Sequence, residues 1–443
     1  MNRISLVQNQ SKYPIASMIL VLALVLLSPF TSMHINWVAF AICIIRMVRY
    51  DEKIFATDYC ILMPLTQTFR MESGMSLLVW LCLVASVRFF VMGKIRGSGA
   101  LICVLLLLNY LLTRMGTNVN DFVLCFGQLF VLYVLLPKQN TQSAVRSAIA
   151  FCWSMTLTSV YALIFRNTSQ IIALRGAETP AIWGLDIMRF YGLFYDPNYY
   201  TTLLIAGLAL LCKLRETEYI GAKTFWILGA AMSLFGMLTC SKAFILVFVL
   251  LGGVYIVWQY WNKKALRGMA FSLAIVVFAA ILLLYEDSPL AVVLNRLTSA
   301  EDLDSLTTGR WALYGAYIEA ITKNAGTILF GYGIDTDRYM GVGAHNIYLE
   351  AMYYVGIIGL ILILAFYFCM IQLMQKNKPE IRKQGMISKY IVLLMTAVIY
   401  FSLQGLFIVM TYAAFFLSLM AMMIVPQKTI PVQQPLNCPE ENA

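Results

Sequence analysis

Apolar stretches of about 15 to 25 residues recur from Pro14 to Pro426, and short polar segments separate them. Each stretch is about long enough to carry a helix across roughly 30 Å of hydrocarbon. The stretches are continuously apolar and do not alternate as the strands of a membrane barrel do. The pattern predicts an all-α, polytopic transmembrane protein with about 12 to 14 spans, forming a single membrane domain over residues 1–443.

The predicted spans form two groups, one on each side of a polar connection at 167–198. They are 14–30, 34–49, 54–69, 75–92, 99–113, 119–136 and 143–166, then 199–213, 224–239, 242–260, 269–285, 347–373, 387–409 and 411–425. The segment 54–69 has the weakest pattern, because it carries Asp58, Pro64 and Thr66. No small-residue cleavage site follows the first stretch, so we expect that helix to be retained.

Lys and Arg set the orientation of the spans, because cytoplasmic loops are enriched in both residues. With the N-terminus inside, loops rich in these cations alternate with loops poor in them. The cytoplasmic cations are Arg46, Arg49, Lys53, Lys94, Arg96, Lys138, Arg146, Lys213, Arg215, Lys223, Lys263, Lys264, Arg267, Lys376, Lys378, Arg382 and Lys383. The connections 167–198 and 286–346 and the hairpin at 240–242 then lie on the external face. Both connections are longer than joining two helices requires, which indicates function.

Composition excludes a soluble globule, since 61% of the residues are hydrophobic, 12% are charged and the mean hydropathy is +0.77. The formal charge of +10 is spread over short loops and implies no nucleic-acid partner. Most of the ten cysteines lie in apolar stretches, where we expect small core residues rather than metal ligands or disulfides. These cysteines include Cys43, Cys82, Cys103, Cys152, Cys212 and Cys369.

His345 is one of only two histidines, and it lies where the connection 286–346 re-enters the membrane. The dipole of the helix predicted to follow it disfavours an imidazolium, so a neutral base or hydrogen-bond donor is expected. The same helix end can bind phosphate. Alternatively, His345 caps the helix or only lies at the interface. His34, at the edge of an early span, is expected to be interfacial.

The segment TTGRWALYGAYIEAITKN at 307–324 predicts an interfacial amphipathic helix that Thr307 or Thr308 caps. Its membrane-facing side is expected to hold Trp311, Tyr314, Ile318 and Ile321. Arg310 lies at the N-terminal end, where a cation is unfavourable for the helix dipole, so it is better explained by an anionic ligand. The alternative is an ion pair with Asp302 or Asp304.

Two further cations, Arg189 and Lys242, lie at membrane depth on the external face, where a charge usually faces a water-filled cavity or a partner. Lys242 is alternatively explained by snorkelling to the headgroups. Asp196 and Asn198 flank Pro197 in a turn expected to cap the next helix. The chain has no nucleotide-binding loop, metal-ligand spacing or serine elbow. An external transfer reaction therefore needs an activated donor, such as a lipid-linked sugar diphosphate.

The segments GRWALYGAYIEAITKNAGTILFGYGI and GAHNIYLEAMYYVGIIG resemble the C-terminal signature of the O-antigen polymerase and O-antigen ligase superfamily. The positions that carry the resemblance are Arg310, Gly331, Gly333, His345, Asn346, Gly356 and Gly359. FYDPNYYTTLL resembles the superfamily's Asp-Pro-Asn segment. TCSKAFIL resembles its Ser-Arg-Gly hairpin, with Lys242 and Ala243 in place of Arg and Gly. The resemblance covers roughly residues 185–360.

The resemblance implies an inverting, metal-independent glycosyltransferase that needs no cofactor. Its substrates are undecaprenyl-diphosphate-linked glycans at the periplasmic face of the inner membrane. Arg189 and Arg310 are expected to hold the diphosphate leaving group. His345 is expected to deprotonate the acceptor hydroxyl or to hydrogen-bond the diphosphate, and Asp196 or Glu350 is the alternative base. The expected substrate-binding residues are Lys242, Asp196, Asn198, Asn346, Glu350 and Tyr332.

Three activities remain open within this resemblance. A polymerase moves the growing chain onto the next lipid-linked repeat unit, and we expect this activity because the N-terminal half is idiosyncratic. A ligase, the alternative, moves the finished chain onto lipid A-core. A glycan flippase or permease is less well supported, since it predicts ionisable residues inside the spans, whereas we expect the charge of this chain to lie mainly outside them. The expected partners are the lipid-linked glycan, membrane lipid and a chain-length regulator protein.

Overall fold

The structure is a computed structural model that describes residues 13–72, 76–92, 135–174, 189–283, 309–333, 343–403 and 409–426, with three single positions at 291, 295 and 298. In these residues the regular elements are helices, and extended pairing is limited to one bridge between Arg70 and Ser76. The predicted all-α class is confirmed. The predicted span 99–113 and most of 119–136 lie outside the described residues.

The helices follow the predicted spans closely. In the first half they are α1 (Ile15–Leu27), α2 (Ile35–Arg49), α3 (Glu52–Leu62), α4 (Leu77–Val91), α5 (Thr141–Ile164) and α6 (Ser169–Leu174). In the second half they are α7 (Pro197–Glu216), α8 (Ala222–Met237), α9 (Lys242–Trp261), α10 (Ala265–Leu283), α11 (Arg310–Thr322), α12 (Ala325–Phe330), α13 (Ile347–Asn377), α14 (Pro379–Arg382), α15 (Met386–Ile399) and α16 (Val409–Met422).

Three helices of the described part are long and apolar enough to cross a membrane: α5, α9 and α13. Shorter apolar helices accompany them, among them α1, α8 and α16. The helix in the predicted span 387–409 ends early, because Ile399 is followed by a 3-10 turn over Tyr400–Ser402. The architecture is that of a helical membrane protein.

Segment 54–69 runs back along the whole length of α2. The side chain of Asn36, at the start of α2, donates to the carbonyls of Thr68 at 2.7 Å and Arg70 at 3.0 Å. The turn into α3 follows the opposite end of α2, so residues 51–70 return from one end of α2 to the other. The α-helix itself ends at Leu62, and Pro64 lies in the 3-10 turn that follows.

Asp58 is accommodated in this apolar segment by a buried ion pair. Arg46 of α2 donates through Nε at 2.9 Å and Nη2 at 2.7 Å to the two carboxylate oxygens of Asp58, and Tyr13 also donates to Asp58. A buried charge is tolerated only when it is paired and hydrogen-bonded. The expectation that charge lies outside the spans is therefore wrong at Arg46 and Asp58.

The centre of the bundle is α7, which is buried along nearly its whole length. It packs against α5, α8, α9, α15 and α16. A helix that is buried on every side has to be apolar around its whole circumference, as α7 is. Its N-terminal end, after Asp196, therefore lies at one end of the bundle and Glu216 at the other.

The end of the bundle around Glu216 gathers loops predicted to be cytoplasmic. Lys213 donates to Ser388 Oγ at 2.7 Å and also to Gln384, which joins α7 to the start of α15. Lys264, which precedes α10, forms an ion pair with Glu216. At the opposite end of α7, the charge of Asp196 acts on Arg310 and His345, which belong to the predicted external connection 286–346. The face of the membrane on which each loop lies stays a prediction.

Candidate functional site

The N-terminus of α7 places a carboxylate at the predicted external end. Asp196 is the N-cap residue, and its Oδ1 accepts a hydrogen bond from the Asn198 N–H at 2.6 Å. Pro197 occupies the first helical position, where its missing N–H removes no hydrogen bond. The carbonyl of Asn198 accepts the hydroxyls of Thr201 and Thr202. The turn predicted at 196–198 is confirmed.

The N-terminus of α13 presents His345 to the same end. Asn346 is the N-cap, and its Oδ1 accepts from the N–H groups of Tyr348 at 3.0 Å and Leu349 at 3.3 Å. His345 lies just before the cap with a φ of 51°, a left-handed conformation that few residues other than glycine adopt. Its Nδ1 is buried and has no hydrogen-bond partner in the described part of the chain.

Arg310 is the first residue of α11, and the N-cap is Gly309 with a φ of 78°. The prediction that Thr307 or Thr308 is the cap is wrong, because the N-cap residue is Gly309. Asp302 and Asp304, the alternative partners of Arg310, lie outside the described residues. Arg310 therefore lies at the start of a helix whose N-cap residue provides no side-chain hydrogen bond.

The predicted membrane-facing side of α11 is divided in the structure. Trp311 and Ile318 are exposed, as expected, whereas Ile321 is buried. The buried side of α11 instead contains Tyr317, whose ring packs edge to face against that of Tyr353 in α13, with centroids 4.9 Å apart. Packing on α13 decides which side of this weakly amphipathic helix is buried.

Tyr314, four residues after Arg310, joins three elements of the site. Its hydroxyl donates to the carbonyl of Phe401 at 3.0 Å and lies 3.4 Å from that of His345. It also interacts with the side chains of Arg310 and Asn346. The phenol thus fixes α11 against the start of α13 and the end of α15.

Arg310, His345 and Asp196 act on one another electrostatically. Burial lowers the pKa of the Arg310 guanidinium, and the charges of Tyr314 and Asp196 oppose this shift. Burial also lowers the pKa of His345, the positive charge of Arg310 lowers it further, and Asp196 acts in the opposite direction. His345 is therefore a neutral imidazole at pH 7, able to accept a proton.

Glu350 is buried in the first turn of α13, with 1% of its surface exposed. Its charge acts on Tyr195, Tyr199 and Tyr317. The two carboxylates expected as alternative bases, Asp196 and Glu350, thus both act electrostatically on the pair Tyr195 and Tyr199 at the start of α7.

A glycine turn docks α12 onto a kink in α13. At Gly356 the φ is 64°, so α13 is interrupted, and the carbonyls of Tyr353 and Tyr354 accept the N–H groups of Tyr332 at 2.7 Å and Gly333 at 2.9 Å. A Cβ on Gly356 would lie 2.3 Å from the carbonyl oxygen of Leu329. The conformation and the close approach both require glycine at this position.

Tyr332 belongs to this docking region. Its hydroxyl donates to the Ala320 carbonyl at 2.8 Å, and its ring stacks on Tyr353 at 4.8 Å. These contacts give the side chain a packing role between α11 and α13. Its assignment as a substrate-binding residue stays a prediction.

Arg189 and Lys242 are brought to one hairpin. Arg189 donates through Nε to the Thr239 carbonyl at 2.8 Å, and the Phe190 N–H donates to Leu238 at 2.9 Å. Lys242 begins α9 directly after Ser241, whose hydroxyl caps the helix. The loop before α7 is thus fixed on the turn between α8 and α9. The roles of both cations stay predictions.

Three tyrosines of the site, Tyr195, Tyr199 and Tyr314, were not predicted from the sequence. Tyr314 was assigned to the membrane-facing side, although it follows Arg310 by four residues and so shares its helix face. Tyr195 and Tyr199 are also four residues apart, on either side of the cap of α7. A spacing of four residues indicates a shared helix face, but it does not predict the contact between Tyr314 and Phe401.

Comparison with protein families gives one finding: residues 227–364 match the family described as O-Antigen ligase. The matched range runs from α8 into α13 and contains Lys242, Arg310, His345, Asn346 and Glu350. The predicted resemblance to the O-antigen polymerase and ligase superfamily is confirmed over this range. Comparison with curated proteins found no match.

Proposed function

We propose that the chain polymerises lipid-linked glycan repeat units, because residues 227–364 match the O-antigen ligase family. The donor is a glycan on undecaprenyl diphosphate, and the acceptor is a sugar hydroxyl of the next repeat unit. The product is O-antigen or capsular polysaccharide. The reaction takes place at the periplasmic face of the inner membrane, where the charge pattern puts the site. A chain-length regulator protein is a predicted partner.

The observation that carries this proposal is the state of His345. Its Nδ1 is buried with no hydrogen-bond partner among the described residues, and burial and the charge of Arg310 lower its pKa, while the charge of Asp196 acts in the opposite direction. The acceptor hydroxyl oxygen attacks the anomeric carbon and forms the new glycosidic bond, while the bond from that carbon to the diphosphate oxygen breaks. The hydroxyl proton passes to His345, which fits a general base whose neutral form prevails at pH 7.

The leaving group is a diphosphate whose negative charge increases as the bond breaks. Arg310 is a buried cation fixed through Tyr314, and Arg189 is fixed through Thr239. A guanidinium held in place before the reaction stabilises such charge without reorganisation. Attack from the side opposite the diphosphate inverts the anomeric centre. Asp196 and Glu350 are the alternative bases if His345 instead hydrogen-bonds the diphosphate.

The proposal assigns to arginine the charge neutralisation that a divalent metal supplies in other phosphate-transfer sites. Purified protein in lipid nanodiscs, supplied with lipid-diphosphate-linked repeat units and a chelator, is expected to give a ladder of glycan lengths on a gel. A ladder that disappears with chelator and returns with a divalent metal would refute metal independence. His345→Ala is the inactive control, compared at equal protein abundance.

Ligase activity is the second candidate function, because the matched family is described as O-Antigen ligase. The same preparation supplied with lipid A-core as acceptor separates the two, because a ligase yields a single transfer onto the core and no ladder. A genetic neighbourhood of glycosyltransferases and a flippase supports the polymerase, whereas a lipid A-core cluster supports the ligase. Movement of the lipid-linked glycan across the membrane without a new glycosidic bond would instead support the flippase.

A further inference from the structure

Among the described residues 189–196 that precede α7, the aromatic side chain that turns outward is Tyr195. Residues 190–194 include Phe190, Tyr191, Leu193 and Phe194, and all four are buried. Tyr195 directly follows them and has 42% of its surface exposed. Burial of its apolar ring would have been favourable, so its exposure beside the candidate site needs a reason.

Contacts of the hydroxyl hold the Tyr195 ring in place. The ring meets that of Tyr199 edge to face, with centroids 5.0 Å apart. The hydroxyl interacts with the Tyr199 hydroxyl and lies in the field of Glu350. A tyrosine of the membrane interface has the opposite arrangement, with its ring in the apolar region and its hydroxyl in the headgroups.

The exposed ring is adjacent to a carboxylate that has a free acceptor position. Asp196 uses Oδ1 to cap α7, and its Oδ2 has no hydrogen-bond partner within the described residues. The charge of Asp196 also acts on Arg310 and His345. The start of α7 thus carries an exposed aromatic ring next to a carboxylate, and that carboxylate acts electrostatically on Arg310 and His345.

We propose that Tyr195 is a sugar-stacking residue whose ring packs against the C–H face of a pyranose of the lipid-linked glycan, while Asp196 accepts a hydrogen bond from a sugar hydroxyl. A pyranose has one largely apolar face and a rim of hydroxyls, so it matches an aromatic ring next to a carboxylate. A fixed tyrosine offers a large contact area with little loss of side-chain entropy. This inference rests on the proposed function, because it assumes a glycan substrate.

The test compares binding of two ligands to protein in nanodiscs: an undecaprenyl-diphosphate-linked oligosaccharide and undecaprenyl diphosphate without sugar. Tyr195→Leu removes the ring, and Tyr195→Phe keeps it. Tyr260→Leu is the matched control, since Tyr260 has a similar exposure of 50% and lies near the opposite end of α9. Affinities are measured by thermophoresis at one lipid composition, so no turnover is needed.

We expect the wild-type protein to bind the glycan-bearing lipid more tightly than the sugar-free lipid. Tyr195→Leu should reduce this preference about tenfold, in line with the energy of an aromatic contact, and leave the affinity for the sugar-free lipid within about twofold. Tyr195→Phe should keep most of the preference, and Tyr260→Leu all of it.

Two results with Tyr195→Leu would overturn the proposal: an unchanged preference, or an equal loss of affinity for both lipids, which would indicate a structural role. A wild-type protein with no preference would also overturn it, even if glycan synthesis proceeds. A preference that depends on Tyr195 in a protein that forms no glycosidic bond would refute the proposed reaction and leave the sugar site standing.

Discussion

The hydroxyl of Tyr314 donates to the carbonyl of Phe401 at 3.0 Å, across two elements that are distant in sequence. This contact holds α11, and with it Arg310, against the end of α15. We expect Tyr314→Phe to lower the rate of glycan synthesis about tenfold, because one hydrogen bond that positions Arg310 is lost. Initial rates and the thermal unfolding midpoint are measured together.

Tyr348→Phe is the control for this prediction. The Tyr348 hydroxyl donates to the Ala397 carbonyl at 2.9 Å and so joins α13, rather than α11, to α15. Both variants should lose similar stability, and only Tyr314→Phe should lose much more rate. Equal rates in the two variants would show that Tyr314 contributes packing alone.

The protonation of His345 can be followed directly, because the chain has only two histidines. Burial and Arg310 lower the pKa of His345 below its usual 6.5. The proton is therefore bound less tightly in the folded state than in the unfolded chain, so stability decreases as the pH falls from 6.5 toward the pKa of the folded protein. Base activity decreases only as the pH falls through that lower pKa. NMR titration of the labelled imidazoles, assigned with His345→Gln, measures the pKa.

Arg310→Gln extends this prediction. Removal of the guanidinium charge should raise the pKa of His345, whereas Arg310→Lys should leave it nearly unchanged. An unaltered His345 titration in Arg310→Gln would contradict the electrostatic contact between these side chains.

The geometry of diphosphate binding distinguishes Arg310 from Lys242. A guanidinium can hold two phosphate oxygens from a planar fork, whereas an ammonium acts as a point charge. Arg310→Lys should therefore lose on the order of a hundredfold in rate, while Lys242→Arg should lose far less. Product ladders from the lipid-linked repeat unit give both rates. Full activity of Arg310→Lys would favour generic attraction over a bidentate contact.

Gly356→Ala tests the docking of α12 on the kink of α13. A Cβ there would meet the Leu329 carbonyl at 2.3 Å in a left-handed conformation. We expect a loss of about 3 kcal/mol in the free energy of unfolding, because strain and a backbone clash act together. Gly253→Ala in α9 is the control, since its Cβ meets nothing within 4 Å. Similar midpoints for both variants in denaturant would argue against the kink.

The orientation in the membrane can be tested with introduced thiols at two exposed lysines. Lys323 follows α11 on the predicted periplasmic side, and Lys383 follows α14 on the predicted cytoplasmic side. An impermeant maleimide should label Lys323→Cys in cells with a permeable outer membrane, and Lys383→Cys only after lysis. The reverse pattern would put the site on the cytoplasmic face and exclude the proposed substrate.

Local sequence determined much of what positions the site. Hydropathy gave the helices, since a continuous apolar stretch has few alternatives in a membrane. Asp196 and Asn346 were predictable at the starts of their helices, because capping depends on neighbours within three residues. The charge pattern predicts the membrane face of each loop, and this prediction awaits the labelling experiment, since the pattern reports on translocation rather than on packing.

Contacts between distant segments had to be decided by the tertiary structure. The side of α11 that is buried depends on Tyr353, the kink at Gly356 depends on Leu329, and the position of Tyr314 depends on Phe401. No local pattern encodes these partners, because a helix of weak amphipathicity can pack on more than one side. The neutral state of His345 has the same origin, since it follows from burial and from Arg310, which enters the site on a different helix.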